Sequence, residues 1–258
     1  MSVKKLFDLT GRVAIITGGS RGLGLQMAEA LGEMGARLAL TARKKDELDE
    51  AVVHLNKLGV EAAAYVCDLG KREQIAPVAD AILKHYGKVD ILVNNAGTTW
   101  GAPAEDHPIE AWDKLVNLNL TGTFLVSQQV AKKSMIPNRY GRIVNVASVA
   151  GLLASDPRVV RTIAYNATKH GVVGLTRQFA AEWGEHGITV NAICPGFFPS
   201  KMTKGTLDTV GKLVMEVTPT RRLGGDEDLK GVAVLLASDA SRHITGQAIA
   251  VDGGATII

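Results

Sequence analysis

Short apolar runs rich in β-branched residues alternate with longer helical segments along almost the whole chain, and no other feature restricts the fold as tightly. The strand-like runs fall at 12–17, 36–41, 61–67, 89–93, 141–147, 188–194 and 247–251. Between them, apolar residues recur at three- and four-residue spacing over 23–34, 45–58, 71–86, 108–133, 159–185 and 226–237, which predicts helices. Strands that are apolar on both faces, each followed by a helix, predict a parallel sheet covered on both sides, because right-handed crossovers lay the helices against it. The expectation is a doubly wound α/β fold of the Rossmann type, with a seven-stranded parallel sheet in one domain over residues 1–258. The rhythm breaks at 196–224, which holds Gly196, Pro199, Gly205, Gly211, Pro219, Gly224 and Gly225. A long connection at the carboxyl ends of the strands reads as an irregular substrate-binding loop.

Several function classes are disfavoured. The net charge is only +3, and neither basic nor aromatic residues gather into a stripe, so nucleic acid is not an expected partner. Asp8 interrupts the place where a secretory apolar core would continue, and no apolar run reaches bilayer length. A cytoplasmic protein without a membrane partner is expected. Cys67 and Cys194 lie far apart outside any C-x-x-C pattern and read as buried small hydrophobes. The six histidines form no H-E-x-x-H pairing, so no metal is expected.

Directly after the first strand stands Thr17-Gly18-Gly19-Ser20-Arg21-Gly22-Leu23-Gly24, leading into a helix. Gly18, Gly22 and Gly24 would permit a tight turn, close approach of backbone to a pyrophosphate, and close packing of helix on strand. The free N–H groups of the helix start would hold phosphate. No Lys-Ser or Lys-Thr follows, which disfavours a nucleotide triphosphatase, while a Rossmann methyltransferase remains a rival. The second strand ends in Thr41-Ala42-Arg43-Lys44-Lys45, with a basic residue where an acidic one would hold a free ribose diol. Arg43, helped by Arg21, therefore points to a 2′-phosphate and to NADP(H) rather than NAD(H).

Tyr165-Asn166-Ala167-Thr168-Lys169 puts a phenol and an ammonium on one helical face. A cation beside the phenol is expected to lower its pKa and let Tyr165 act as general acid or base. Ser148 ends the fifth strand, where its hydroxyl could bind a substrate oxygen. Asn119 lies inside a long helix, where a polar side chain facing the core needs partners. Asn94-Asn95-Ala96-Gly97 closes the fourth strand, on the sheet edge that carries the glycine turn.

With these motifs in this order, and with Asp68 after the third strand and Pro195-Gly196 after the sixth, the chain resembles the short-chain dehydrogenase/reductase family from about Leu9 to Asp252. The resemblance implies an oxidoreductase that moves a hydride between nicotinamide and a carbonyl or secondary alcohol, with Asn119, Ser148, Tyr165 and Lys169 as the catalytic set. It implies a cofactor site from Gly18, Ser20, Arg21, Gly22, Leu23, Gly24, Arg43, Asp68, Leu69, Asn95, Ala96, Gly97, Tyr165, Lys169, Pro195, Gly196, Phe198 and Ser200. In it Lys169 also binds the nicotinamide ribose, Asp68 contacts adenine, and Pro195, Gly196, Phe198 and Ser200 line the nicotinamide. Asn119 is implied to hold a water in a proton relay. The segment between Ser148 and Tyr165 is longer than the family usually shows, and with 195–203 it looks most like the gluconate 5-dehydrogenase branch, near the 3-oxoacyl-carrier-protein reductases. The substrate is thus a small molecule, either a sugar acid such as gluconate or 5-ketogluconate, or a 3-oxoacyl or other ketone; a dinucleotide sensor without turnover is the remaining alternative. Arg158, Arg161, Lys201, Lys204, Arg221 and Arg222 are candidate receivers of a substrate anion, and Trp100, Phe197, Phe198, Met202 and Leu207 a candidate apolar wall. The long helices 108–133 and 159–185 resemble the surfaces by which family members form homotetramers.

Overall fold

The computed structural model describes residues 2–258. Seven strands, β1 (Val13–Thr17), β2 (Arg37–Ala42), β3 (Ala62–Val66), β4 (Ile91–Asn94), β5 (Gly141–Val146), β6 (Ile188–Pro195) and β7 (Ala248–Val251), form one parallel sheet in the order β3-β2-β1-β4-β5-β6-β7. This is the doubly wound α/β sheet that the strand–helix alternation predicts. The chain order reverses between β1 and β4, and there open α/β sheets leave a crevice for ligands at the strands' carboxyl ends.

Among the described residues the longer helical segments are α1 (Val3–Phe7), α2 (Gly22–Glu33), α3 (Lys45–Lys57), α4 (Ile75–Tyr86), α5 (109–138), α6 (Ile163–Trp183), α7 (Lys204–Val217) and α8 (Lys230–Ala237). The period of two along each strand divides the core. In β1, Ala14 and Ile16 pack with Met27 and Leu31 of α2, Leu48 and Leu55 of α3 and Leu236 of α8. Val13 and Ile15 face the other side, with Ile82 of α4, Val126 and Val130 of α5 and Phe179 of α6. Each of these buried side chains other than Ala14 contributes about 1.5–3 kcal/mol. Cys67 and Cys194 are both buried, as expected. Among the described residues no helix is long and apolar enough to cross a membrane.

Three local expectations are corrected. The stretch 196–224 is not an irregular loop, because α7 occupies its middle and buries Gly211 and Val214. Helix α6 begins at Ile163, not near 159: Asp156 Oδ1 accepts from the Arg158 N–H, and the Asn166 side chain bonds the hydroxyls of Ser155 and Thr162, so side-chain contacts hold the segment before Ile163 on a non-helical path. Finally, the helix expected over 108–133 runs on to Asn138 and widens into π-helical turns at Val116–Gly122 and Ala131–Met135. Asn119 sits in the first of these wide turns.

Candidate active site

The glycine turn is locked against the end of β4 by backbone proximity that only glycine allows. Gly18 and Gly22 have φ of +64° and +52°. A Cβ on Gly24 would stand 2.3 Å from the Gly18 carbonyl oxygen and 2.5 Å from Asn95 Nδ2, so the residue is there for packing. Around a Cβ on Gly22, in contrast, nothing lies within 4 Å. That open space is a cradle at the start of α2, where free N–H groups and the helix dipole favour an anion. Asn95 fixes the turn from the other side, donating from Nδ2 to the carbonyls of Thr17 and Gly18 at 3.0 and 3.1 Å. Thr17 Oγ1 accepts from the Asn95 and Ala96 N–H groups at 2.9 and 3.0 Å.

From this turn a cavity of about 320 Å³ runs along the strand ends to Ser148, Tyr165 and Lys169. Of the cofactor residues expected from sequence, Gly24 alone does not line it, for the packing reason just given. Arg43 and Asp68 stand at its glycine-turn end, and Pro195, Gly196, Phe198 and Ser200 wall the other. Thr41 Oγ1, also in the wall, is buried without a hydrogen-bond partner. An anion cradle, an orphaned hydroxyl and a basic corner fit an adenosine phosphate. Sequence reasoning missed Lys44 and Glu47 in the same corner. The signal was the i,i+3 pair they form at the start of α3, with Lys44 Nζ 3.0 Å from Glu47 Oε1.

At the other end Lys169, 5% exposed, donates from Nζ to the Val146 carbonyl at 2.7 Å. Burial pushes its ammonium down to about 8. Tyr165 behaves differently from the expectation. Burial raises its phenol above the ordinary value, and a hydrogen bond from Ser148 opposes this. The ammonium lies 5.5 Å from the ring centroid and is bonded to Val146, so it does not offset the burial. Ser148 Oγ accepts from the Ala150 N–H at 3.1 Å, which leaves its own proton free to donate elsewhere.

Asn119 stands behind the wall and lines neither cavity. Its Oδ1 accepts from the Thr98 N–H and its Nδ2 donates to the Thr98 carbonyl, both at 2.9 Å, with a further bond to Thr168 Oγ1 at 3.2 Å. Thr168 Oγ1 in turn donates to the Tyr165 carbonyl. Gly97 sits between them, since a Cβ there would be 3.3 Å from Asn119 Oδ1 and 3.8 Å from Lys169 Nζ. The partners that a core-facing Asn119 needs are therefore protein groups.

Gly196 and Phe198 also border a second cavity of about 280 Å³. Val149, Leu153, Val160, Phe197, Val214 and Leu223 make its wall largely apolar. Of the expected apolar wall, Trp100 and Leu207 lie outside this chamber and Met202 lines the first cavity. The basic rim residues are mostly engaged. Arg222 forms a two-point pair with Asp228, which holds that carboxyl down to about 2. Arg158 is paired with Asp156 at 2.6 Å, Lys204 with Asp208 at 2.7 Å, and Arg161 donates to the Pro157 carbonyl. Lys201 faces the first cavity, and Arg221 is exposed at a φ of +56°.

Residues 12–210 match the short chain dehydrogenase family profile. The chain is 38% identical to gluconate 5-dehydrogenase of Gluconobacter oxydans over 259 residues, covering 100% of this chain and 99% of that protein. It is 36% identical to the 3-oxoacyl-[acyl-carrier-protein] reductase of Staphylococcus epidermidis over 242 residues, 93% of this chain and 97% of the other. The structure of a gluconate 5-dehydrogenase from Burkholderia cenocepacia in complex with NADP and tartrate superposes with a TM-score of 0.94 at 34% identity, covering 100% of both chains. With a family match across three quarters of the sequence and relatives that agree with it end to end, the chain belongs to the short-chain dehydrogenases, oxidoreductases acting on CH–OH groups.

Proposed function

We propose that the protein is an NADP(H)-dependent oxidoreductase that interconverts a ketone and a secondary alcohol, with Ser148, Tyr165 and Lys169 as catalytic residues. The observation that carries this reading is their convergence at one end of the long cavity, beside the wall that it shares with the apolar chamber. When bound, NADPH supplies a hydride to the carbonyl carbon, and NADP+ accepts one in the reverse direction. Ser148 donates a hydrogen bond to the substrate oxygen, and Tyr165 delivers a proton to the same atom as the carbon is reduced. The raised phenol pKa keeps that proton in place until the oxygen gains charge. Lys169, whose ammonium burial holds down at about 8, would hold the nicotinamide ribose. Asn119 is a positioning residue, which holds Thr98 and, through Thr168, the backbone of Tyr165. Arg43 and Arg21 would receive the 2′-phosphate, and Asp68 and Leu69 would border the adenine.

The apolar chamber and its engaged cations favour an uncharged ketone such as a 3-oxoacyl thioester. The similarity to gluconate 5-dehydrogenase supports a second reading, a sugar acid such as 5-ketogluconate, for which Arg222 is the cation that lines the chamber. Initial rates of NADPH oxidation with each compound, measured on one sample, separate the two. Faster turnover of the thioester supports the first and faster turnover of the sugar acid overturns it. The NADP(H) preference is tested with Arg43→Ala, which should weaken NADPH about tenfold and leave NADH unchanged. The whole chain acts as one unit and assembles as a homotetramer through α5 and α6, in line with the resemblance of these helices to family contact surfaces. Sedimentation velocity tests the assembly, and a monomer would refute it.

A further inference from the structure

Four charged residues meet at the end of β2, where Arg21, Arg43, Lys44 and Glu47 all line the long cavity. Two of the three cations are already held. Arg21 Nη1 lies 2.7 Å from Glu47 Oε1, and Lys44 Nζ lies 3.0 Å from the same oxygen. Arg43 enters no ion pair among the described residues. The carboxylate is the best buried member of the group, at 23% exposure, against 50% for Arg21 and 57% for Lys44. It also belongs to the first turn of α3, where the helix dipole favours a negative charge. Glu47 is thus the fixed point of the corner, and the two long cationic side chains are the parts able to move.

We propose that Glu47 sets the margin by which this site prefers a phosphorylated ribose, because it competes with the 2′-phosphate for Arg21 and Lys44. The inference rests on the NADP(H) reading above. With an unphosphorylated ribose, Glu47 keeps both cations and only Arg43 presents free charge to the ligand. A 2′-phosphate must draw Arg21 and Lys44 away from Glu47, and it then faces an uncompensated carboxylate in the same corner. Both effects act against the phosphorylated ligand alone. The preference is therefore smaller than three unopposed cations would give, and the site keeps a capacity for both cofactor types.

Nothing here requires turnover, so the test reads binding. The full-length protein, its Glu47→Gln variant and its Arg43→Ala variant are titrated calorimetrically with 2′,5′-ADP and with 5′-AMP. Removing the Glu47 charge should tighten 2′,5′-ADP by about threefold to tenfold, the scale of exposed ion pairs, and leave 5′-AMP within about twofold. The gain should shrink as salt is raised, since the corner is open to solvent. If 2′,5′-ADP is unchanged or weaker, or if both ligands tighten alike, the competition is refuted. Arg43→Ala keeps the two readings apart. If it weakens 2′,5′-ADP selectively while Glu47→Gln does nothing, Glu47 alone is misassigned. If it leaves 2′,5′-ADP unchanged and the wild type binds both ligands equally, the NADP(H) reading itself falls.

Discussion

Replacing Lys169 by Met is expected to make the protein more stable while disabling it. The ammonium is 5% exposed, and burial moves its pKa from 10.5 to about 8. At 1.36 kcal/mol per pKa unit, holding it charged at neutral pH costs about 3 kcal/mol. Its bond to the Val146 carbonyl returns about 1.5 kcal/mol of this, the lower end for a charged donor. Methionine fills a similar volume without the charge, so the variant should gain about 1–2 kcal/mol, or about 2–6 °C in Tm for a chain of this size. The pH dependence carries the diagnostic sign. A lysine whose folded pKa lies below its unfolded value destabilises the fold fully below about 8. Between about 8 and 10.5 the unfolded chain binds more protons than the folded one, so wild-type stability rises with pH and the penalty is lifted. Thermal unfolding of both proteins at about pH 7 and about pH 9.5 should show the variant ahead at the lower pH and the gap narrowing at the higher. A variant that melts lower at neutral pH, or a gap that ignores pH, would refute the assignment of burial as the dominant cost.

Tyr165→Phe should lower turnover by about 10²–10⁴-fold while leaving the NADPH dissociation constant within about twofold, read by fluorescence titration. Retention of near-normal turnover would contradict its role as proton donor. Gly24→Ala forces a Cβ to 2.3 Å from the Gly18 carbonyl oxygen, and should destabilise by about 1–3 kcal/mol and weaken cofactor binding in parallel, both visible in melting curves with and without NADPH. Asn119→Ala leaves the Thr98 N–H and carbonyl without their partner and should cost about 2–4 kcal/mol in urea unfolding; an unchanged midpoint would mean that those groups are satisfied some other way.

The strand ends of the site were legible because each motif follows directly on an apolar run. Gly18 after Thr17, Asn95 after Asn94 and Ser148 after Ala147 are carried to one edge by a register in which Thr17 pairs with Asn94 and Asn94 with Asn145. Helix α7 was hidden by its punctuation. Gly205 and Gly211 lie inside it and Pro199 and Pro219 flank it, yet Leu207, Gly211, Val214 and Thr218 keep the three- and four-residue spacing of an apolar face, with Gly211, Val214 and Thr218 buried. The sign of the Tyr165 perturbation was not legible at all. Spacing places an ammonium near a phenol, but it does not say that the ammonium will donate to Val146, a residue on another element. Glu47 escaped notice for a related reason. A carboxylate in the first turn of a surface helix reads as a helix-stabilising charge, and only the fold brings it within 2.7 Å of an arginine in the glycine turn.

The wall between the two cavities explains how substrate choice can vary while the chemistry stays fixed. A Cβ on Gly196 would come within 2.9 Å of Asp252, and a Cβ on Gly224 within 2.4 Å of the Phe198 ring, so both bordering residues are held by close backbone packing. Asp252 is anchored in turn, accepting from the N–H groups of Gly254 and Thr256 at 2.9 Å each. The opposite side of the chamber comes from Leu153, Val160 and α7, which hang on the segments after β5 and β6 and take no part in the strand pairing. Substitutions at Val160 or Val214 should therefore change which carbonyl compounds are accepted, whereas substitutions at Gly196 or Gly224 should impair every substrate together, because they displace the wall that the two cavities share.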